Sequence, residues 1–560
     1  MITLIETNKP KFPGKSSILI SCGFNEKVIN IIKSTGNAIW DKNNKLWEIP
    51  ITSLAFIIDN LAPLDDITLN ILKSKDKSKV IDIPKLDKSM FKTKLFDYQL
   101  DGVIYGLTHD KWLLLDCPGL GKTIQTMYIA QQLKERNNIS HCLVICGVNS
   151  LKSNWKKEIH KHSDLSCKIL GERTTRTGKT KIGKVSERLE DLKHPIEEFF
   201  VITNIETLRN NDIIKLINKG VNKFDMIIFD EIQVAKSPTS IQGKNILKLK
   251  NAKYKIGCTG TLIMNNPLDS YVPLKWIGEE NSTFTNYKGY YCRYGGPMNN
   301  IIVGFKNLNT LKEILSNCSL RRTKDLLDLP EKTIIVETLD MQEDHKSFYV
   351  DIEKGIIDEV DKVKLNTSSI LTMITRLRQA TACPSVLTTK SISPTKLLRC
   401  AELINEITGN GEKVVVFSTF KESITQLREL IPNISFITIT GDTKDSDISD
   451  LVDKFQNDAS TTTLLATWQK AGTGLTLTAA SYAIFIDTPW TDAAFTQACD
   501  RIYRIGTTKK VFIYVLQCAE TIDEMVYNIV QDKSAISDYI VDDIQDENTM
   551  QRLQKYLQNL

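Results

Sequence analysis

The 560-residue chain has no long apolar run, few histidines and no paired-cysteine spacing, and each absence removes a class of protein. No stretch is apolar over the roughly 20 residues that a membrane helix needs. The N-terminus, Met1-Ile-Thr-Leu-Ile-Glu-Thr-Asn-Lys-Pro10, lacks the layout of a signal peptide, so no membrane or secreted destination is expected. Twelve cysteines are scattered with none as C-x-x-C, and only six histidines are present, so neither a disulfide framework nor a zinc site is suggested. A reducing, intracellular setting follows, with nucleus and cytoplasm undistinguished and a virus-encoded source left open. The Lys/Ile/Asn/Thr-heavy composition hints at an AT-rich genome. A net charge of +5 is too mild to demand a nucleic-acid partner, though it allows one.

With 41% hydrophobic and 25% charged residues the chain is an ordinary globular one, and it is too long for a single hydrophobic core. Its organising stretch is Asp116-Cys117-Pro118-Gly119-Leu120-Gly121-Lys122-Thr123, set between the apolar run Trp112–Leu115 and an amphipathic run from Ile124 to Leu133. Strand, glycine-rich turn and helix opening on Lys-Thr form the phosphate cradle of P-loop NTPases, where backbone N–H groups and a helix N-terminus hold phosphate oxygens. Lys122 is expected to reach the β- and γ-phosphates of ATP and Thr123 to place its hydroxyl on Mg²⁺. Asp116 stands where the usual pattern has its first glycine. A second Gly-Lys-Thr, in Gly171–Thr180, has no apolar strand before it and reads as a basic loop.

From Phe91 to about Thr333 apolar runs alternate with helical stretches, which predicts a parallel sheet covered on both faces. One run ends in Phe229 and is followed at once by Asp230-Glu231. Near a phosphate cradle such a pair divides the work: Asp230 orders Mg²⁺, and Glu231 orients and deprotonates the attacking water. Tyr287 to Leu327 reads as irregular and then helical, and Gln342 to Gln379 as a charged helical bridge. A second alternating pattern follows, through Lys413–Phe417, Ile434–Thr438, Thr462–Leu465, Tyr482–Ile486 and Lys510–Val515, without a cradle of its own. ATP is therefore expected in a cleft that the second lobe completes. Arg501 and Arg504, three positions apart, are expected on one helical turn, facing the γ-phosphate as arginine fingers.

Residues 1 to about 85 read as a small module: a helical pattern over Phe24–Lys33 and two strands around an Asn43-Asn44 turn, with Lys73–Lys79 as a linker. Trp40 and Trp47 either stack on nucleobases or form the module's core. The stripe from Lys168 to Lys193 is either a solvated face or a phosphate contact. Asp538–Leu560 reads as an acidic stretch before a capping helix.

Together these pieces resemble the Swi/Snf-type ATPases of helicase superfamily two, from Phe91 to about Cys518. Leu95–Val103 is similar to the family's opening motif, which implies that Gln99 contacts adenine. Asp116–Thr123 resembles its phosphate loop, which often starts with Asp. Leu143–Ile159 and Ile202–Leu208 are similar to motifs lining the nucleic-acid track. Cys258–Leu262, with Thr259 and Thr261, resembles the coupling motif. Arg321–Lys324 followed by Leu329–Lys332 marks the end of the first lobe, and Ala471–Ala479, with Gly474, and Gln497–Gly506 correspond to the last two motifs. The resemblance implies an α/β fold of two tandem RecA-like lobes, a small N-terminal α+β accessory domain and helical insertions between the lobes. The expected boundaries are 1–85, 86–340, 341–395 and 396–560.

Three departures stand out. Gln233 replaces the usual His after Asp230-Glu231-Ile232, so coupling through that position is tuned differently. Cys117-Pro118 replace Glu-Met, and Thr507 replaces Gln with little effect expected on the arginines. The N-terminal module is similar to the accessory domain of annealing helicases, through Phe24-Asn25, Trp40-Asp41, Trp47 and Pro50, which implies forked or branched DNA. The expected activity is ATP-dependent movement on duplex DNA. Rival readings are an RNA or single-strand helicase, a DNA-binding scaffold without motor activity, and a chromatin remodeller, for which no histone-reading module is recognisable.

Overall fold

The computed structural model describes residues 2–7, 11–12, 17–35, 38–42, 44–50, 53, 57, 60–61, 69–72, 86–87, 89, 91–137, 139–149, 151–174, 180–263, 266–295, 301–327, 329–360, 367–471, 475–528 and 530. The expected linker at Lys73–Lys79 and the C-terminal segment Asp538–Leu560 lie outside them. The chain divides into two compact units: Met1–Asp116, Thr123–Gly147 and Glu158–Arg321 form one, and Cys117–Lys122, Val148–Lys157 and Arg322–Leu560 the other.

The first unit opens with β1 (Ile2–Thr7), β2 (Ser17–Ser21), β3 (Ile39–Asp41), β4 (Leu46–Pro50) and β5 (Leu69–Leu72), ordered β3-β4-β2-β1-β5. Helix Glu26–Ser34 starts where Asn25 Oδ1 accepts the N–H groups of Lys27 and Val28, at 3.0 and 3.2 Å. Its apolar face, Val28 and Ile32, packs on Leu4, Ile18, Ile20 and Ile49. The expected strand pair is present, with Trp40 opposite Trp47. Asn43 of the expected turn lies outside the described residues, while the Asn44 N–H donates to Asp41 Oδ1 at 3.1 Å. Trp47 lies against the core, Trp40 is 42% exposed, and their rings stand 5.2 Å apart. The module rests on the rest of its unit through buried Phe12, whose ring meets Tyr290 edge-on at 6.1 Å.

The main sheet of this unit comprises β6 (Lys111–Leu114), β7 (His141–Cys146), β8 (Cys167–Ile169), β11 (Phe200–Asn204), β12 (Phe224–Asp230), β13 (Tyr254–Cys258) and β16 (Ser319–Leu320). Two hairpins lie outside it, β9 (Glu172–Thr174) with β10 (Thr180–Ile182) and β14 (Cys292–Gly295) with β15 (Ile301–Phe305). The sheet order is β16-β6-β13-β12-β7-β11-β8, every pair parallel. Parallel strands need helices on both faces, which is why these read as near-continuous apolar runs. Leu113, Leu143, Val144, Ile202 and Ile228 are wholly buried, each such side chain contributing about 1.5–3 kcal/mol. Tyr287–Leu327 differs from expectation: helix Phe284–Tyr291 ends where β14 begins, and helix Leu308–Cys318 follows β15.

The second unit is built on β17 (Lys332–Leu339), β18 (Val414–Ser418), β19 (Phe436–Ile439), β20 (Thr463–Thr467), β21 (Tyr482–Phe485) and β22 (Val511–Cys518). They order as β17-β22-β21-β18-β20-β19, again all parallel. β17 pairs with β22 along its whole length, so the second sheet begins upstream of residue 340. The stretch expected to be helical forms helices Glu343–Val360 and Thr367–Ala382, both within the second unit.

Candidate functional site

Strand register lines up the C-terminal ends of the first sheet. Leu114 pairs with Cys258, Cys258 with Asp230, Asp230 with Cys146 and Cys146 with Asn204. The residues that follow these positions are the ones the motifs nominated, at the edge where open α/β sheets bind ligands.

After β6 the chain turns through the phosphate loop. Asp116 is fully buried, and its Oδ2 accepts the Gln125 side-chain amide at 3.0 Å, so the residue in the glycine's usual place ties the loop's start to the following helix. The Cys117 N–H donates to the Arg322 carbonyl at 3.0 Å and the Leu120 N–H to the Cys117 carbonyl at 3.3 Å. Gly119 and Gly121 have φ of 90° and 79°, a region in which a β-carbon is strained, so the glycines are required by the turn. Pro118 sits inside the turn that the Leu120 N–H closes on the Cys117 carbonyl. Helix Lys122–Asn137 carries no acidic side chain in its first turn and has Lys134 and Arg136 in its last, a charge distribution that favours an anion at its N-terminus. The Lys122 amine lies 3.5 Å from the Cys117 carbonyl, and Thr123 is the helix's second residue.

At the end of β12, Asp230 is mostly buried and its carbonyl accepts the Gly147 N–H at 2.8 Å. Glu231 has φ of 58°, a left-handed conformation that costs a non-glycine residue free energy. It starts the short turn Ile232–Ala235, and the Gln233 amide nitrogen donates to Glu231 Oε2 at 2.5 Å. Beyond β13, the Thr259 N–H donates to the Leu114 carbonyl at 3.1 Å, and Thr259 Oγ1 accepts the Thr261 N–H at 2.9 Å. Thr259 and Thr261 are thus joined in one hydrogen-bonded turn. Gln99 lies in the first turn of helix Asp97–Thr108; its Oε1 accepts the Phe96 N–H at 3.1 Å and its amide donates to the Tyr98 hydroxyl at 3.3 Å.

In the second unit, helix Asp492–Cys499 contains Gln497 and stops before the arginines. Arg501 and Arg504 therefore lie in the turns that follow, not on one helical face. Their guanidinium groups still converge, both donating to the Leu475 carbonyl at 3.4 Å, while Arg504 also reaches Thr476 Oγ1 at 3.0 Å. Thr507 has more effect on them than expected: its hydroxyl donates to the Ile502 carbonyl at 2.7 Å and accepts the Arg504 N–H at 3.1 Å, closing the turn that carries Arg504. Lys324, at the end of the Arg321–Lys324 marker, bonds the Asp500 carboxylate and donates to the Tyr503 carbonyl at 2.5 Å. Burial pushes Asp500 up and Lys324 down, each opposed by the other's charge. Gly474 lies outside the described residues.

In the Lys168–Lys193 stripe Arg176 and Lys179 lie outside the described residues, and several of the others have internal partners. Arg173 pairs with Asp191 at 2.7 Å, Lys193 with Glu190 at 2.9 Å, and Arg188 donates to Asn204 Oδ1 and Thr207 Oγ1 at 2.9 and 2.6 Å. Arg188 thereby braces the Ile202–Leu208 motif, a role its sequence position does not reveal. Among the described residues no cluster of His, Cys, Asp and Glu could hold a metal by itself, no disulfide joins the cysteines, and no helix is long and apolar enough to cross a membrane.

Comparison with known proteins agrees with this layout. Residues 98–386 match the SNF2-related domain and residues 395–506 the helicase conserved C-terminal domain. An uncharacterized ATP-dependent helicase of Mycoplasma pneumoniae is 27% identical over 91% of this chain and 48% of its own. The DNA annealing helicase and endonuclease ZRANB3 of Bos taurus is 27% identical over 80% of this chain and 40% of its own. The Caenorhabditis elegans homolog of SWI/SNF-related matrix-associated actin-dependent regulator of chromatin subfamily A-like protein 1 is 25% identical over 91% and 72%. The chain spans about half the length of the first two relatives.

Proposed function

The chain belongs to the SNF2-related helicase family, and from that premise we propose an ATP-driven motor that moves on double-stranded DNA inside the cell. Its chief support is the strand register of the first sheet, which sets Leu114, at the end of the strand leading to the phosphate loop, level with Cys258 and Asp230. The helix N-terminus and the glycine turn fit a triphosphate, with Lys122 against its β- and γ-phosphates, Gly119 and Gly121 admitting it to the backbone, and Gln99 on its adenine. Thr123 and Asp230 are the oxygen donors suited to Mg²⁺, which would supply charge neutralisation between phosphate oxygens. Glu231 takes a proton from the attacking water, and Arg501 and Arg504 neutralise charge developing on the γ-phosphate. Thr259, Thr261, Gln233, Gly474 and Gln497 relay the state of the nucleotide to the nucleic acid.

The domains divide the work. Residues 86–340 bind ATP, 341–395 bridge, 396–560 form the helicase C-terminal lobe, and 1–85 select forked or branched duplexes, a reading supported by the module's resemblance to the accessory domain of annealing helicases. The decisive experiment is steady-state ATP hydrolysis without nucleic acid and then with duplex DNA, forked DNA, single-stranded DNA and RNA at matched salt. Stimulation by duplex, and more by forks, is the expected result. Stimulation by RNA or single strands alone replaces the proposal with a helicase on those tracks, and no hydrolysis at all replaces it with a DNA-binding scaffold.

A further inference from the structure

Gln233 is held between two facts. Its amide nitrogen donates to Glu231 Oε2 at 2.5 Å, and its own carbonyl oxygen, Oε1, is buried with no hydrogen-bond partner among the described residues. The reverse amide orientation would set two acceptors against each other at that distance, so the chemistry fixes which end faces the carboxylate. A buried, unpaired carbonyl is costly, and such groups persist where a ligand or water completes them. The backbone around the pair is immobilised: Glu231 is left-handed, the Val234 N–H closes on the Glu231 carbonyl at 3.2 Å, and a β-carbon at Gly147 would stand 2.7 Å from that same carbonyl.

We propose that Gln233 is a positioning residue for the hydrolytic water, its Oε1 and the Glu231 carboxylate forming a two-acceptor cradle. The inference rests on the reading of Glu231 as general base. A water has two O–H bonds. One points to Glu231, which receives the proton as the water oxygen bonds to the γ-phosphorus and the bond to the departing diphosphate breaks. The other points to Gln233 Oε1, which accepts a hydrogen bond and takes no proton. With both O–H bonds engaged, a lone pair is left for attack. The amide's donation to Oε2 meanwhile keeps the carboxylate in register and directs the incoming proton to Glu231 Oε1. Histidine at this position would add a titrating group beside the base; glutamine supplies the donor and the acceptor at every pH.

Two variants test this in the full chain with saturating duplex DNA. Gln233→Leu keeps the volume and removes both polar ends; kcat is expected to fall roughly ten- to a hundredfold while ATP affinity, read with a fluorescent nucleotide, and Tm stay at wild-type values. An unchanged kcat in Gln233→Leu, or a fall matched by lost nucleotide affinity or a lower Tm, overturns the proposal. Glu231→Gln separates the two assignments. If it abolishes turnover while Gln233→Leu is fully active, only the role of Gln233 fails; if it hydrolyses ATP normally, the base itself is elsewhere and the cradle falls with it.

Discussion

Arg378 and Asp487 meet at 3.2 Å inside the second unit with side-chain exposures of 3% and 1%. The pair knits three pieces of backbone. Asp487 also accepts the Ser418 hydroxyl at 2.5 Å and the Thr419 N–H, at the tip of β18, while Arg378, from helix Thr367–Ala382, lies 4.5 Å over the Trp490 ring. Replacing one member leaves the other charged, buried and unmatched. Asp487→Ala is expected to cost about 3–5 kcal/mol, read as a lower urea midpoint, whereas Arg378→Leu with Asp487→Leu is expected to recover a large part of that loss.

Lys122→Ala and Glu231→Gln are expected to abolish ATP turnover while leaving duplex affinity near wild type, as hydrolysis and fluorescence anisotropy will show. Glu231→Asn sharpens the point. Asparagine enters the left-handed region more readily, so that variant is expected to lose turnover and yet melt at or above the wild-type temperature.

Lys255 gives a pH dependence of stability. It is 4% exposed, and its amine donates to the Leu249 and Trp276 carbonyls at 2.7 and 3.2 Å, yet burial draws its pKa down from 10.5 to about 8. Between those values the unfolded chain holds a proton that the folded one has released, so stability rises with pH across that window. Below about 8 the cost of the buried charge is present in full, and a displacement of this size corresponds to roughly 3 kcal/mol. Subtracting the unfolding free energies of Lys255→Met from those of wild type at pH 7 to 10.5 should expose this slope; a flat difference refutes it.

Duplex binding through phosphates predicts weak sequence preference and steep salt dependence. With about 5 phosphate contacts, log K should fall with log salt at a slope near −4 to −5, equal for unrelated sequences of one length. A slope near zero in anisotropy titrations would exclude a phosphate-dominated track.

Much of this was legible in the chain itself. The phosphate loop and the strands ending at Cys146, Asp230 and Cys258 fall within a residue or so of their apolar runs, because strands buried on both faces leave an unbroken signal. β17 did not stand out: its Lys332-Thr-Ile-Ile-Val-Glu-Thr-Leu339 alternates between exposed and half-buried positions, as an edge strand does. The β14–β15 hairpin was missed for a similar reason, its polar and glycine residues resembling an irregular segment. Spacing predicts one helical turn for Arg501 and Arg504, whereas both lie beyond the helix, Arg504 in the turn closed by Thr507, and share the Leu475 carbonyl. The Gln233–Glu231 contact depends on a left-handed φ that no residue type announces, and the Arg378–Asp487 pair joins positions 109 apart.

The pairing of β17 with β22 dictates an order of events during synthesis. A ribosome releases Lys332–Leu339 early, but its partner is Val511–Cys518, the last strand of the sheet and also the neighbour of β21. Until that strand emerges, β17 has nothing to pair with and the apolar strand Tyr482–Phe485 presents a bare edge open to other chains. A nascent chain stalled short of Val511 is thus a split sheet with two sticky rims, and the second half of the protein becomes one cooperative body only when its final strand is threaded between them.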